Sequence, residues 1–319
     1  MLHQRHFRAM NTDVGVWLWC TAADRATIID QALEWAEGAF ARVEDELSRF
    51  RSTSSLSRLN QAAGRGPQAV SPLLWTVLLS ALRAADNSGG IYDPTLLRTL
   101  ERMGYDRSFE AIQGLGVEEA GVASGQAFGS WRRVRLDGAA HAVSLPTDLA
   151  LDLGGIAKGW TVDHVASELA PLGPVLVDAG GDLRVIGVVD GEAWPIAVQD
   201  GFEPERDHTV VRLAEGALAT SSIGGRQWRR GGRMLHHVVD PRTGTAAESD
   251  LHSVTVRAPS AAIADVAAKV VLVLGSVSGS VYLLARGLSG LLTTVQGRVL
   301  PVGTFRQEEM EPHASGHSN

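Results

Sequence analysis

The segment DLGGIAKG, residues 152–159, contains the residue types of a site for a negatively charged ligand. Two glycines precede a predicted helix start, and Lys158 lies in the first turns of that helix. Backbone N–H groups and the helix dipole at such a start attract phosphate, and a lysine adds a point charge. The spacing matches neither a Walker A loop nor a GxGxxG motif. A tight glycine entry with an exposed lysine explains the segment equally well, so both interpretations stay open.

A second segment, ADVAAKVVLVLG (264–275), is an apolar run interrupted by Asp265 and Lys269. Four residues apart on a helix, these two side chains share one face. Lysine is rare in this chain: of its 29 basic residues, only Lys158 and Lys269 are lysines. A charged pair in an apolar helix needs compensating partners or a wet cleft, so this face is a second candidate site.

The segment HHVVDPRTG (236–244) combines a predicted turn with a titratable side chain. In Asp-Pro-x-Thr-Gly, Asp240 and Thr243 are expected to cap backbone groups while Gly244 adopts the unusual φ. His237 precedes Asp240 by three residues and could transfer a proton near neutral pH, although it could also be incidental to the turn. Two further predicted turns, which could be purely conformational, are GGIYDPT (89–95) and VDAGGDLRVIG (177–187).

Both helices and strands follow from the hydrophobic periodicity, without the regular βαβ alternation of a parallel sheet, so the fold class is predicted to be α+β. A single domain is expected over residues 1–305, with a disordered tail at 306–319. Residues 106–130 are Gly-rich and acidic, which makes them the most plausible internal boundary or insertion. Helices are predicted at 25–50, 71–90, 153–173 and after Pro259-Ser260, a first strand at 13–20, a hairpin at 134–145 and two strands within 174–191.

Composition and charge limit the classes of partner. A net charge of −7 without a lysine-rich block argues against nucleic acid. The Arg-dense segment GGRQWRRGGR (224–233) is predicted to be the solvated tip of a hairpin, because glycine pairs flank it. The lone Cys20 excludes an internal disulfide framework. No N-terminal signal pattern and no run of ~18 apolar residues is evident, so a cytoplasmic protein without a membrane partner is expected.

The order of these segments along the chain resembles the ApbE-type flavin transferases, which move FMN from FAD onto a threonine of a target protein. The resemblance covers roughly residues 9 to 300. The matching segments are AMNT (9–12), LSRFRSTSSLSRLN (47–60), GGIYDPT, MGYD (103–106), DLGGIAKG, VDAGGDLRVIG, LATSS (218–222), HHVVDPRTG and SVTVRAPSAAIADVAAKVVLVLG (253–275).

This resemblance implies an α+β, T-fold-like architecture of two related halves around a deep flavin cleft. It also implies that a threonine hydroxyl of a separate target protein attacks the FMN phosphorus of FAD and that AMP leaves; no clear copy of the acceptor segment occurs in this chain. His237 would assist the transfer with Asp240 beside it, and Val239 would offer its backbone to the ligand. The other residues expected around FAD are Met10, Phe50, Ile91, Tyr92, Asp93, Asp152 and Lys158.

The family uses Mg²⁺, and the resemblance assigns its ligands to the backbone carbonyl of Gly155, the carboxylate of Asp265 and a threonine hydroxyl four residues later. This chain has Lys269 at that last position. A charged ammonium group has three donors and no lone pair, so it cannot coordinate a metal. The substitution bears on activity and on the cofactor, and less on the fold.

Three interpretations of Lys269 stay open. It could pair with Asp265 and face away from any site. Its ammonium could instead replace Mg²⁺ and bind the pyrophosphate of FAD, giving an FAD-binding protein or a metal-independent transferase. Mg²⁺ could also still bind through Asp265, Gly155 and water, with Lys269 swung aside. An FAD pyrophosphatase, in which water takes the place of the threonine hydroxyl, is a further alternative.

Overall fold

An eight-stranded antiparallel sheet is the centre of this computed structural model, which describes residues 1–21, 25–112, 128–203, 206–230 and 232–306. The strands, numbered along the chain, are β1 (Leu2–Ala9), β2 (Thr12–Trp19), β6 (Val175–Ala179), β7 (Asp182–Ile186), β10 (Glu215–Ser222), β15 (Leu251–Ala258), β16 (Ser289–Thr294) and β17 (Val299–Val302). Across the sheet, the strand order is β1-β2-β6-β7-β10-β15-β16-β17, and adjacent strands in this order are hydrogen-bonded.

Shorter strands form small sheets around the central one. The paired sets are β3 (Gln68–Ala69), β5 (Ala142–Ser144) and β4 (Arg135–Asp137); β8 (Trp194–Gln199) and β9 (Asp207–Leu213); β11 (Gln227–Arg230) and β12 (Arg233–His236); and β13 (Val239–Asp240) and β14 (Thr245–Ala246). The β8–β9 hairpin covers one face of the central sheet, where Val211 and Leu213 pack in the same buried cluster as Leu183 of β7.

Helices cover the opposite face. The first and sixth helices pack with β1, β2 and β6 in a cluster whose members include the fully buried Phe40, Val165 and Val177. The seventh helix packs on β10 and β15. The helices are α1 (Ala26–Leu47), α2 (Ser55–Gln61), α3 (Pro72–Asn87), α4 (Leu97–Arg102), α5 (Phe109–Ile112), α6 (Ala157–Leu169) and α7 (Ala261–Leu284).

The four long helices and the α+β class are confirmed, but the strand prediction missed β1. Its sequence, LHQRHFRA, is mostly polar, and its residues alternate between exposed and partly buried positions. Among the described strands, β1 is the outermost and pairs with β2 alone. Edge strands commonly carry charged residues, which discourage pairing with other chains. The apolar alternation that identifies an interior strand is therefore absent here.

Helix α7 corrects the expectation that no apolar run is long enough to span a membrane. By length and composition alone Ala261–Leu284 would qualify, with a mean hydropathy of 1.8 over the best window. However, 56% of that window is buried inside the fold. The helix is also broken at Gly275, whose φ of 77° is left-handed, and the N–H of Ser276 donates to Asp250 Oδ1 at 2.8 Å. These are features of a core helix.

A capping contact fixes the start of α7 against α6. Both oxygens of the Asp163 side chain accept backbone N–H groups at this start, from Ala261 at 2.7 Å and from Ala262 at 2.9 Å. The two helices touch at Gly159, where a Cβ atom would lie 2.7 Å from the carbonyl oxygen of Ala261. Only glycine permits this approach, so the first turns of the two helices are held at one distance.

The predicted domain limits are partly outside the described residues. The segment 113–127, within the predicted boundary at 106–130, and residues 307–319 of the predicted tail are not described. Arg306, the first residue of that tail, is the last residue of a 3-10 helix, Gly303–Arg306. The single domain over 1–305 stays a prediction, although the central sheet takes strands from both ends of that range.

We expect Asn60→Ala to lower the free energy of unfolding by about 2–5 kcal/mol, because it leaves two buried backbone groups unpaired. Asn60 donates to the carbonyl of Leu151 at 2.9 Å and accepts its N–H at 2.8 Å, which fixes the chain just before the glycine entry of α6. Urea denaturation measures the change. The exposed neighbour Gln61, changed to Ala, should alter stability by no more than about 0.5 kcal/mol. Equal effects of the two substitutions would contradict the role of Asn60.

Candidate active site

One cleft, with a cavity volume of about 500 Å³, collects nearly all of the residues singled out in the sequence. It lies between the end of α1, the starts of α6 and α7, and the loops around β10 and β13. The predicted site residues that line it are Met10, Phe50, Ile91, Tyr92, Asp93, Asp152, Gly155, Lys158, His237, Val239, Asp265 and Lys269. Asp240 is the one predicted site residue that does not. The functional role of each remains a prediction.

The glycine entry of α6 forms one wall of the cleft. Asp152 Oδ1 accepts the N–H of Gly154 at 2.7 Å, and no side chain caps the first turn of the helix. A Cβ atom at Gly155 would lie 3.0 Å from Cε2 of Tyr92 and 3.5 Å from Cδ of Lys269. The helix start is thus packed against both side chains, and a larger residue at 155 would displace one of them.

Both lysines of the chain lie in this cleft, and each contacts a buried carboxylate. Lys158 Nζ lies 2.6 Å from Oδ2 of Asp182, a residue on β7 that is fully buried. Lys269 Nζ contacts Oδ1 of Asp265, which is 1% exposed. The other oxygen of each carboxylate has no hydrogen-bond partner among the described residues. The predicted i, i+4 pair therefore forms, but the interpretation that it faces away from any site is wrong.

The two pairs affect one another electrostatically. Burial raises the pKa of Asp265, and the nearby Asp182 carboxylate raises it further, against the opposing effects of Lys269 and Lys158. Burial lowers the pKa of Lys158, but the attraction of Asp182 and Asp265 exceeds this effect, so the net shift is upward. Lys158 therefore keeps its positive charge inside the cleft at neutral pH.

The donor set does not fit the Mg²⁺ ion that the resemblance implies. Mg²⁺ prefers six oxygen ligands at short distance, and carboxylates are the protein groups that usually hold it. One oxygen of Asp265 already contacts an ammonium group, and Lys269 offers donors only. Across the described residues, no group of three or more His, Cys, Asp or Glu side chains could hold a metal ion. The predicted metal ligands Gly155 and Asp265 thus lie beside the ammonium-bearing side chain of Lys269.

Arg49, which the sequence analysis did not single out, organises another wall of the cleft. Its guanidinium lies 4.2 Å from the ring centroid of Phe50 and 4.5 Å from that of Tyr105. Nε lies 3.2 Å from Oδ2 of Asp152, so this predicted ligand-binding carboxylate is already paired. The guanidinium nitrogen NH2 is buried and has no partner among the described residues. This nitrogen can therefore donate a hydrogen bond beside two aromatic rings. In the sequence, the position of Arg49 next to the predicted binding residue Phe50 was the signal that could have identified it.

Two of the predicted binding residues, Asp93 and Met10, also make hydrogen bonds that stabilise the local backbone. Asp93 Oδ1 accepts the N–H of Thr95 at 2.8 Å and its hydroxyl at 2.6 Å, which closes the Asp-Pro-Thr turn. Burial raises the pKa of Asp93 in spite of these hydrogen bonds. Met10 has a left-handed φ of 51°, and its N–H donates to Glu44 on α1 at 2.8 Å. These contacts place the residues on the cleft wall without fixing what they bind.

His237 lies in the cleft in a neutral state. The residue is partly exposed, but its Nδ1 is buried and lacks a hydrogen-bond partner among the described residues. Its pKa is lowered to about 3, chiefly by burial and then by the positive charges of Arg226 and Lys269. A neutral imidazole keeps a lone pair that can accept a hydrogen bond or a proton, but a pKa this low makes it a weak base in the free cleft.

Asp240 builds the predicted turn and lies outside the cleft lining. Its carboxylate accepts two hydrogen bonds from the guanidinium of Arg242, at 2.9 Å and 2.8 Å, and the N–H of Arg242 at 2.9 Å. Its backbone carbonyl accepts the N–H of Gly244, whose φ is 69°. The geometry thus explains Asp240 as a turn residue, and it gives no support to a catalytic role.

The Arg-dense segment forms the predicted hairpin, β11–β12, and most of its described residues are exposed, but some of its side chains face the protein. Arg226, just before β11, lines the cleft. Trp228 is buried, and its Nε1 donates to the carbonyl of Met103 at 2.8 Å. Arg230 donates to the carbonyl of Arg102 at 3.0 Å. The tryptophan within the arginine run was the signal that one side of this hairpin packs inward.

We expect the parent protein to lose stability as the pH falls below about 6.5, and His237→Gln to lose less. The unfolded chain binds a proton at this histidine near its ordinary pKa, whereas the folded protein does so only near 3. Between these values His237 removes about 1.4 kcal/mol of unfolding free energy per pH unit. Chemical denaturation at several pH values measures both slopes. If the unfolding free energy falls with decreasing pH equally steeply in parent and variant, the lowered pKa of His237 is contradicted.

Known proteins share the sequence features and the fold of this chain. The model of the ApbE family matches residues 10–291. The FAD:protein FMN transferase of Treponema pallidum is 30% identical over 273 residues, which cover 78% of this chain and 73% of the relative. The corresponding protein of Vibrio cholerae is 30% identical over 257 residues, covering 79% and 74%.

Solved structures agree with the sequence comparison. The ApbE protein of Thermotoga maritima has a TM-score of 0.79 and 25% identity, covering 96% of this chain and 98% of its own. The flavin transferase ApbE of Vibrio cholerae has a TM-score of 0.73 and 26% identity, covering 96% and 99%. The match of the family model over most of the chain and the shared fold lead to one conclusion: this chain belongs to the ApbE family.

Proposed function

We propose that this protein binds FAD in the cleft and transfers its FMN moiety to a threonine hydroxyl of another protein, with release of AMP. Two relatives that are 30% identical to this chain over the aligned residues are FAD:protein FMN transferases. The proposal rests on one observation: a single cleft contains a neutral imidazole, two lysines and a helix start without a side-chain cap. These are the groups that a transfer at a phosphorus atom requires.

The reaction balances without an additional reactant. The threonine oxygen forms a bond to the FMN phosphorus of FAD, and the bond from that phosphorus to the bridging oxygen breaks, so AMP leaves with the bridging oxygen. The hydroxyl proton passes to His237, which is neutral and has an unpartnered nitrogen. From there it is released to AMP or to solvent. The products are a phosphodiester, in which the single phosphate of FMN links the flavin to the threonine oxygen, and AMP.

Substrate binding adjusts the basicity of His237. In the free cleft, the cations Arg226 and Lys269 contribute to the lowered pKa of the imidazole. The diphosphate of FAD carries negative charge, and its binding compensates these cations. Compensation of these cations removes only the part of the shift that they cause, so the pKa of His237 rises from its value in the free cleft while the effect of burial remains.

The rest of the cleft suits the aromatic parts of FAD. Phe50 and Tyr105 present rings 6.0 Å apart, with the Arg49 guanidinium close to both. Nη2 of Arg49, which has no partner among the described residues, can donate to a ring nitrogen or carbonyl oxygen of the ligand. The Mg²⁺ of the wider family takes no part in the proposed steps, because the donors at Asp265 and Lys269 do not fit that ion.

Incubation with FAD and a threonine-bearing acceptor protein should give an acceptor with covalent flavin fluorescence and an equal amount of AMP. An acceptor in which the threonine is replaced by alanine should remain unlabelled. His237→Ala should lower kcat by about 10²–10⁴-fold, the usual contribution of a general base, while FAD binding persists.

His236→Gln is the matched control, because this neighbouring ring contacts the carbonyl of Ala247 and does not line the cleft. We expect it to transfer FMN at close to the parent rate. Release of free FMN and AMP without labelling would show a pyrophosphatase instead. Tight FAD binding without any AMP would exclude transfer and leave a flavin-binding protein.

A further inference from the structure

We propose that the ammonium groups of Lys158 and Lys269 together form a diphosphate seat, and that this seat binds FAD without a divalent metal ion. The inference rests on the proposed use of FAD but concerns binding alone, so it can fail while transfer is retained. Its basis is the position, anchoring and charge of these two side chains.

The distribution of lysine is the first argument. The chain has 29 basic residues, and its only two lysines come from separate helices, 111 positions apart in sequence, yet both line one cleft. Elsewhere the chain uses arginine for its surface ion pairs, as in Arg133 with Asp148. An ammonium is a compact charge with three rotatable donors, which suits a diphosphate approached from two sides.

Anchoring by buried carboxylates is the second argument. Lys158 contacts Asp182 and Lys269 contacts Asp265, and both carboxylates are almost completely removed from solvent. The lysine side chains themselves are 23% and 22% exposed. Each ammonium has three N–H groups, of which the carboxylate contact occupies one, so donors remain for a ligand. The aspartates hold the cations in place from the buried side of the cleft.

Charge balance is the third argument. The formal charges of the two lysines and their two aspartates sum to zero, which allows both lysines to lie in one cleft in the free protein. Lys269 contacts the same carboxylate that would have to bind a divalent ion, so ion and ammonium compete for one position. The stem of Lys269 also lies 3.5 Å from the Cβ position of Gly155, which keeps the ammonium beside the uncapped start of α6. Arg226 supplies a further positive charge.

The inference is tested by measuring FAD binding in EDTA and in excess Mg²⁺, with the quenching of flavin fluorescence as the signal. The parent should bind FAD with the same Kd, within about twofold, under both conditions. Lys269→Met and Lys158→Met should each weaken FAD binding by about tenfold or more, because each removes a charge-assisted hydrogen bond. Riboflavin lacks the phosphates, so its affinity should not change in either variant.

Lys269→Thr is the most informative substitution. It frees the Asp265 carboxylate and adds a hydroxyl oxygen, so FAD binding should become weak in EDTA and recover with Mg²⁺. Because Lys269→Met leaves Asp265 buried and unpaired, the neutral double variant Asp265→Asn/Lys269→Met is included, and it should bind FAD weakly with no response to Mg²⁺. Arg133→Met also removes the cation of an Asp pair, but outside the cleft, and should bind FAD like the parent.

The possible failures are distinguishable. If EDTA weakens FAD binding to the parent about tenfold or more, the metal-independent seat is wrong, while the proposed transfer survives. Parent-like FAD binding by a folded double variant in EDTA would also overturn it. If the parent binds no FAD under either condition, both this inference and the proposed function are lost.

Discussion

The arrangement of the cleft depends on one contact, the carboxylate of Asp163 at the start of α7. Because it accepts the N–H groups of Ala261 and Ala262, it connects α6 to the first turn of α7. Gly159 lets the two helices approach until backbone meets backbone. Lys158 lies one residue before that glycine, and Lys269 two turns into α7. Loosening this contact would separate the two lysines, whatever their own partners are.

The charges in the cleft are better explained by ligand binding than by stability. A buried ion pair gains little over a well-packed apolar pair, because removing both charges from water costs about as much as their attraction returns. Here two such pairs lie together, and one carboxylate oxygen of each has no hydrogen-bond partner in the part of the chain that the structure describes. Burial, together with the charges of Arg226 and Lys269, lowers the pKa of His237 and keeps its ring neutral. The pairs therefore add little to stability by themselves, and they place two ammonium groups in the cleft.

Local patterns in the sequence were sufficient for much of this architecture. Helical periodicity predicted α1, α3, α6 and α7, and the glycine and Asp-Pro turns predicted the loops that meet at the cleft. Pairing between distant residues was not predictable. Asp182 is separated from Lys158 by 24 positions, and Asp163 from Ala261 by 98. Arg49 and Arg226 also reach the cleft only through tertiary packing; the neighbouring Phe50 and the tryptophan in the arginine run were indirect signals that did not specify these positions.

The two lysines have one more consequence, for labelling chemistry. Since the sequence contains no other lysine, every ε-amino group of this protein lies in the same cavity. Amine-selective reagents that acylate or methylate side chains can therefore react only there, apart from the terminal amine. A ligand that fills the cavity would shield both positions at once. The mass of the modified protein thus becomes a direct record of whether its cleft was occupied.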